Sequence, residues 1–268
     1  MLSQAQLKQF KEDGYVVIQG FAPTLVDPLR RATERTIAKG RSGEWKDVRK
    51  CGDDMWGVSN LLNPALKEPV FAEYMASPHV IEVSQQLLER NDLRLSLTNL
   101  LCNPLKTPYA IAWHRDAGNP RDSGEAELRE LRKIQSSVQW NGALYEETCL
   151  RIVPGTHRRN ITDAERDVLL NRNMDAMPGE LHVRLRAGET VYYNAMLLHR
   201  GVYPTETRRE TMHANLVAMQ SDDTYRMHYE AVKFMAEPSF RANLPAPLLP
   251  FLDNWLKFSE QFRAAGVA

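Results

Sequence analysis

Apolar and polar positions fall into two regimes along the chain. Before Leu93 the apolar residues recur at helical spacing. Ser3 with Gln6 three residues on reads as a capping box, Leu7 and Phe10 supply an apolar stripe, and Gly14 suits the stop of that first helix. Tyr15 to Ile18 reads as a short buried strand and Pro23 to Lys39 as an amphipathic helix. Two further helical stretches are expected from Pro69 to Met75 and from Pro78 to Arg90. From Leu93 to Met219 the pattern changes to short apolar runs between Gly, Pro and Asn turns: Leu93–Leu101, Tyr109–Asp116, Gln135–Leu144, Cys149–Val153, His182–Leu185, Thr190–His199 and Thr211–Met219. Such a block of strand candidates, flanked by helices, predicts an α+β protein with an antiparallel sandwich or barrel core and helices packed outside. One polar interruption, Asp116 to Lys133 with a helical pattern from Glu125, reads as an inserted surface segment or lid. Pro247 to Phe262 reads as a closing amphipathic helix, and no repeat or linker divides the chain, so residues 1–268 are expected to form a single domain.

Composition narrows the class of function. A chain of 268 residues, 43% hydrophobic and 25% charged, fits one large globular domain or two small ones. With 34 basic against 34 acidic side chains there is no electrostatic reason to expect nucleic acid or an anionic membrane as partner. The first residues carry no apolar signal core, and no apolar run has the length of a bilayer span. Cys51, Cys102 and Cys149 are odd in number and form no CxxC, which argues against a disulfide framework or a cysteine zinc site. The expectation is a cytoplasmic protein acting on a small molecule, with its oligomeric state open.

The candidate chemistry centres on Trp113-His114-Arg115-Asp116. Alternate residues of a strand share a face, which puts His114 and Asp116 together beside the small Ala110 and Ala112, with Tyr109, Ile111 and Trp113 opposite. Alone the triplet is weak, because a chain with this many histidines and acids contains about one His-x-acid by chance. A second, His228-Tyr229-Glu230, follows the strand-rich block with no later histidine and reads as surface. The stronger signal is a third donor on a distant strand. In Thr190–His199, alternation puts Val191, Tyr193, Ala195, Leu197 and His199 on one face, and His199 closes the run. Two histidines and a carboxylate delivered from two strands suit a facial triad that leaves three positions of a first-row metal open. Arg208 and Arg209 follow, leading into a strand whose Arg209, Thr211, His213 and Asn215 form a polar face. A polar face inside a sandwich points to a pocket, and an arginine there can clamp a carboxylate, although both arginines could equally be solvated.

These residues resemble the phytanoyl-CoA dioxygenase-like family of iron(II)/2-oxoglutarate oxygenases, over Phe10 to about Val217. Phe10-Lys-Glu-Asp-Gly-Tyr-Val-Val-Ile-Gln-Gly-Phe21 is similar to the family's opening helix and strand. His114-Arg-Asp116 matches its iron motif, Leu150-Arg-Ile-Val-Pro-Gly-Thr-His157 its Pro-Gly-Ser-His turn, and Leu185-Arg-Ala-Gly-Glu-Thr-Val191 its Ala-Gly-Asp strand entry. His199 matches the distal iron ligand. Arg209 best matches the arginine that takes the far carboxylate of 2-oxoglutarate, with Arg208 the alternative. The resemblance implies a double-stranded β-helix, or jelly roll, and a dioxygenase using Fe(II), 2-oxoglutarate and dioxygen. It would oxidise, most simply hydroxylate, a small-molecule substrate and release succinate and carbon dioxide. Arg200-Gly201 departs from the Gly-Ser pair common after the distal histidine and removes a hydroxyl from the cosubstrate pocket. Asp116 is retained, unlike in related halogenases. Within this picture Asp116–Lys133 would close over the site. His157 is expected to be structural and exposed, and His182 and His213 to be satisfied or pocket-lining. Trp45, Trp56 and Trp140 fit either a pocket wall or the core. The alternatives are a cupin-like metal enzyme without 2-oxoglutarate, which would not need Arg209, and a non-catalytic binding protein of the same fold.

Overall fold

The computed structural model describes residues 1–133, 137–219 and 232–264. The opening helix α1 (Gln4–Asp13) has the capping box its sequence predicts: the Gln6 amide donates to the Ser3 hydroxyl, and the Ser3 amide donates to the Gln6 side chain. Gly14 ends it at φ 81°, a left-handed turn that only glycine enters without steric cost. Strand β1 (Tyr15–Gln19) and helix α2 (Pro23–Ser42) follow as the apolar pattern requires. A hairpin then forms from β2 (Val48–Cys51) and β3 (Asp54–Val58), whose apolar pattern is too brief to predict strands. Helices α3 (Val70–Met75) and α4 (Pro78–Leu88) complete the first third.

Nine further strands form the rest of the core: β4 (Leu93–Arg94), β5 (Thr98–Cys102), β6 (Tyr109–Ala110), β7 (Ser137–Ala143), β8 (Glu147–Val153), β9 (Leu181–Leu185), β10 (Glu189–Asn194), β11 (Leu198–Tyr203) and β12 (Glu210–Ala218). The larger sheet runs β1-β10-β7-β12-β5-β3-β2, with β4 also on β12, and the smaller runs β6-β11-β8-β9. Every pairing is antiparallel. From β5 to β12 the chain winds back and forth between the two sheets as a double-stranded β-helix. Helices cover the outer face of the large sheet, where Trp140, Tyr192, Met212 and Leu216 pack with Phe71, Tyr74 and Trp255. The Trp140 indole donates to the Tyr74 hydroxyl at 3.0 Å, so the polar ends of two large buried rings satisfy each other. Ile152, Val183, Leu185, Val191 and Tyr193 fill one part of the space between the sheets. The remaining space is the cavity described below.

Helix α5 (Gly124–Lys133) occupies the predicted interruption, and α8 (Leu249–Ala264) closes the fold as expected. Helices α6 (Asp163–Asn171) and α7 (Pro238–Asn243) were not anticipated. Three strand expectations need correction. Leu93–Leu101 is two strands, β4 and β5. Tyr109–Asp116 is a strand only at Tyr109–Ala110; beyond it the chain follows β11 through separated backbone bonds, and Ile111 therefore also reaches the cavity. Thr190–His199 is not one strand but two, in different sheets. The Asn194 side chain accepts from the Met196 amide at 2.8 Å and its carbonyl accepts from Leu197 at 3.0 Å, turning the chain from β10 into β11. Strand-to-strand parity thus does not carry Val191 through to His199. The run hid its corner because both strands and the turn are buried, leaving no polar punctuation except Asn194. The three cysteines are unpaired, and no helix among the described residues is long and apolar enough to cross a membrane. His228-Tyr229-Glu230 lies outside the described residues.

Candidate active site

The segment after β6 lies antiparallel to β11. The Ile111 amide donates to the Gly201 carbonyl at 2.9 Å, and His114 and His199 exchange both backbone hydrogen bonds, at 3.2 and 3.0 Å. Residues directly opposite in such a pair send their side chains to the same face. The two imidazoles accordingly lie together, ring centroids 4.3 Å apart. Asp116, two residues on, turns to the same side. Its Oδ1 is 3.5 Å from Nε2 of both His114 and His199. Candidate donor atoms of all three residues fall within 4.8 Å of one another.

Each ring is held by its other nitrogen. His114 Nδ1 lies 2.8 Å from the Ala112 carbonyl, and His199 Nδ1 lies 2.9 Å from the Leu197 carbonyl. Carbonyls only accept, so Nδ1 carries the proton in both rings and the lone pair sits on Nε2, facing Asp116. Gln139 on β7 donates to Asp116 Oδ2 at 2.7 Å, which leaves Oδ1 for the shared point. Ligands on one ion at about 2.1 Å and right angles are roughly 3 Å apart, so these donors fit a divalent metal with a small inward adjustment. The electrostatics differ between the two rings. Burial, with His114 nearby, pushes His199 down to about 4, which keeps it a neutral donor. Burial opposes charge on Asp116, but the two histidines outweigh it and hold the carboxyl below its usual range. Burial likewise opposes a proton on His114, and the Asp116 carboxylate outweighs it, raising that ring's pKa. The His199 side chain is 6% exposed while those of His114 and Asp116 are 36% and 39% exposed, so the triad opens on one side.

That side is a cavity of about 420 Å³ between the sheets. The polar face predicted for β12 lines it through Arg209, His213 and Asn215, while Met212 and Leu216 turn to the helix-covered core and Ala214 borders both. His213 bonds through Nδ1 to the Asn141 side chain at 2.8 Å. Burial, reinforced by Arg49 and opposed by Asp116, pushes it down to about 3, so it faces the cavity uncharged. The two arginines separate cleanly. Arg208 points outward, ion-paired to Glu34 at 2.6 Å and Glu210 at 2.7 Å with its guanidinium over the Tyr145 ring. Arg209 reaches the cavity with its side chain 1% exposed, its guanidinium carbon 4.4 Å from the Tyr203 ring centre. Its Nε lies 2.7 Å from Glu147 Oε2 on β8 and 3.3 Å from the Thr211 hydroxyl, and its Nη1 makes no hydrogen bond. Burial works against charge on Arg209, but Glu147 beside it keeps the guanidinium protonated.

Sequence reading passed over Gln139, Glu147, Arg49 and Tyr203. Gln139 sits in a run read only as apolar. Glu147 belongs to a Glu146-Glu147 doublet that looks solvent-facing until β8 turns it inward. His157 is corrected: it is structural but buried, 4% exposed, its Nε2 3.2 Å from the Lys11 carbonyl between α1 and the Pro154-Gly155 turn. His182 is exposed beside Glu180 at 2.8 Å. Trp56 lines the cavity, whereas Trp140 is core and Trp45 packs at the core's edge. Arg115, between the two ligand candidates, turns away from them. It donates to the Met196 and Thr156 carbonyls and to Glu127 of α5, at 3.0, 2.6 and 2.6 Å. Glu127 also accepts from Arg166 at 2.8 Å and from the Ile161 amide at 3.1 Å. Leu131 of α5 packs on Met196. The inserted helix is thereby fastened to the corner that delivers His199.

Comparison with known proteins identifies relatives of the chain and of its fold. The profile of the phytanoyl-CoA dioxygenase (PhyH) family matches residues 10–203. No curated protein matches the chain in sequence. Among solved structures it is similar to AviO1 from Streptomyces viridochromogenes Tue57, at TM-score 0.63 and 16% identity over 83% of this chain and 98% of that one. EctD from S. alaskensis, solved with 2-oxoglutarate and 5-hydroxyectoine, is similar at TM-score 0.62 and 18% identity over 81% and 77%. The α-ketoglutarate-dependent epimerase SnoN from nogalamycin biosynthesis is similar at TM-score 0.57 and 18% identity over 81% and 82%. At these identities the structural likeness establishes the fold.

Proposed function

The chain belongs to the phytanoyl-CoA dioxygenase (PhyH) family, and on that premise we propose that it hydroxylates a small-molecule substrate, with His114, Asp116 and His199 holding Fe(II) and Arg209 anchoring 2-oxoglutarate. It is an oxidoreductase of the iron(II)/2-oxoglutarate class. The observation that carries the site assignment is the convergence of His114 Nε2, His199 Nε2 and Asp116 Oδ1, each with its non-ligating atom already engaged. When bound, the iron, 2-oxoglutarate and dioxygen supply the oxidising equivalents, with succinate and carbon dioxide released. The protein's part is placement. The two carbonyls and Gln139 fix the donor set before any metal arrives. Arg209, buried at the cavity wall with a free Nη1, presents a fork for a carboxylate. Leu97, Leu101, Ile111 and Trp56 give the cavity apolar walls that exclude water from the space in front of the triad.

One observation favours a second reading. Arg209 is already paired with Glu147, and a cupin-like enzyme that uses no 2-oxoglutarate would leave that pair undisturbed. Anaerobic optical titration with Fe(II) and then 2-oxoglutarate separates the two. The proposal expects a weak visible charge-transfer band in the wild type. His114→Ala should abolish it, and Arg209→Ala should need at least about tenfold more 2-oxoglutarate to reach it. Iron binding without a band at any 2-oxoglutarate concentration would leave the second reading in its place.

A further inference from the structure

The cavity contains a second guanidinium whose circumstances differ from those of Arg209. Arg49 sits on β2, at the edge of the large sheet, opposite Gly57 of β3. Its side chain turns into the cavity, the guanidinium carbon 5.5 Å from the Trp56 ring centre. Trp56 stacks on Tyr109 at 5.1 Å and leans on Tyr203 at 5.1 Å, and Tyr203 in turn lies under Arg209. A row of aromatic rings therefore has an arginine at each end. The Arg209 end is closed by Glu147. The Arg49 end has no carboxylate or carbonyl partner among the described residues, and its Nε is buried without any hydrogen bond. An unbonded buried Nε is shared by Arg200, but there the guanidinium still donates to the Met174 carbonyl, and Arg115 donates to Glu127 and to the Met196, Thr156 and Arg159 carbonyls. A buried N–H left unpaired costs free energy, and a charged one costs more. Burial accordingly lowers the pKa of Arg49.

A cation held this way is most economically explained by a ligand that completes it. We propose that Arg49 recognises an anionic group on the substrate, a carboxylate or a phosphate, while Trp56, Tyr109 and Tyr203 bind the apolar body attached to it. Planar guanidinium suits both oxyanions, and the ring beneath it limits the directions from which its fork can be approached. His213, next along the cavity wall, is neutral and offers a hydrogen bond rather than competing charge. The hairpin that supplies Arg49 and Trp56 stands outside the double-stranded β-helix winding, while Tyr109 and Tyr203 come from within it, on β6 and on the strand β11 that also carries His199.

This inference rests on the dioxygenase reading and is tested so that the two can fail separately. Anaerobic calorimetric titrations would use phenylacetate and phenyl phosphate as anionic probes and phenylacetamide as the neutral match, with and without Fe(II) and 2-oxoglutarate. At least one anion should bind the wild type about tenfold more tightly than the amide. Arg49→Gln should remove that preference and Arg49→Lys should keep part of it, both with unchanged thermal midpoints within a few degrees and with 2-oxoglutarate affinity within about twofold of wild type. Equal binding of acid and amide to the wild type, including no binding of either, overturns the proposal. So does an anion preference that survives in Arg49→Gln. If Arg49→Gln instead weakens 2-oxoglutarate as much as Arg209→Met does, Arg49 belongs to the cosubstrate anchor and the substrate assignment falls. A missing 2-oxoglutarate band with an intact anion preference would fault the cosubstrate reading alone.

Discussion

The triad corner and the Arg209 end of the same cavity are built on opposite principles. At the triad, every polar atom that does not face the shared point is already bonded: two Nδ1 atoms to carbonyls, one carboxylate oxygen to Gln139. The three remaining donors point inward at one shared point. At the other end, Arg209 is fully buried and already ion-paired to a carboxylate of the protein itself. The first site is preorganised and only has to be filled. The second must share or exchange a partner before it can take a ligand's carboxylate. Preorganisation lowers the cost of binding, whereas a pre-formed pair adds to it and in return keeps a buried cation tolerable while the site is empty.

The largest effect should come from breaking the Arg209–Glu147 pair on one side only. Arg209→Met leaves Glu147 as an unpaired carboxylate, 1% exposed, and removing one partner of a buried pair typically costs about 3–5 kcal/mol. Denaturant unfolding of this variant should register a loss of that order. The double variant Arg209→Met with Glu147→Met removes both charges and should recover most of the stability, yet both variants should lose 2-oxoglutarate binding. Stability that fails to return in the double variant would mean the pair does structural work beyond its charges. Cosubstrate affinity that returns with it would remove Arg209 from the anchor.

The contrast also explains what could be read from the chain. The three side chains that converge were legible because their signals are local: His114 and Asp116 are two residues apart, and His199 ends an apolar run. The polar alternation of Arg209, Thr211, His213 and Asn215 was legible for the same reason, and it led to the cavity even though Arg208 stayed open as the alternative. Glu147 was not legible, because its meaning depends on β8 and β12 meeting in space, and an acidic doublet after a tyrosine looks like a turn. Arg49 was hidden similarly in a short, charged hairpin, Val48–Val58, whose apolar pattern is too brief to declare strands. Jelly-roll strands announced themselves by alternation and turn residues. The β10–β11 corner did not, since a turn buried on all sides needs no polar residues beyond the one, Asn194, that bonds it.

A milder perturbation addresses the preorganised side of the comparison. Gln139→Leu deletes the only hydrogen bond recorded for Asp116 Oδ2 among the described residues while keeping a similar volume in β7. If that bond orients Asp116, metal affinity measured by chelator competition should fall about 10- to 100-fold. The fold itself should be little affected. Unchanged affinity would show that the backbone bond from the Asp116 amide to Ala195, at 3.1 Å, suffices to aim the carboxylate.

The smallest and most discriminating change is Glu147→Gln. It keeps the shape and a hydrogen-bond acceptor beside Arg209 but removes the negative charge. In the empty protein this leaves a buried cation with a neutral partner, so some stability should be lost. For 2-oxoglutarate the sign reverses: its far carboxylate no longer enters a space beside another carboxylate. Two like charges about 4 Å apart repel by roughly 4 kcal/mol at an effective dielectric constant of 20. Arg209 between them offsets most of this, so the net gain expected is about tenfold in affinity, or about 1.4 kcal/mol. Tighter cosubstrate binding with a less stable apo-protein would establish Glu147 as a stand-in that holds the arginine until the cosubstrate arrives. Weaker binding would mean instead that Glu147 aims the guanidinium and remains its partner in the loaded site, and Arg209 would then need its free Nη1 to meet the ligand.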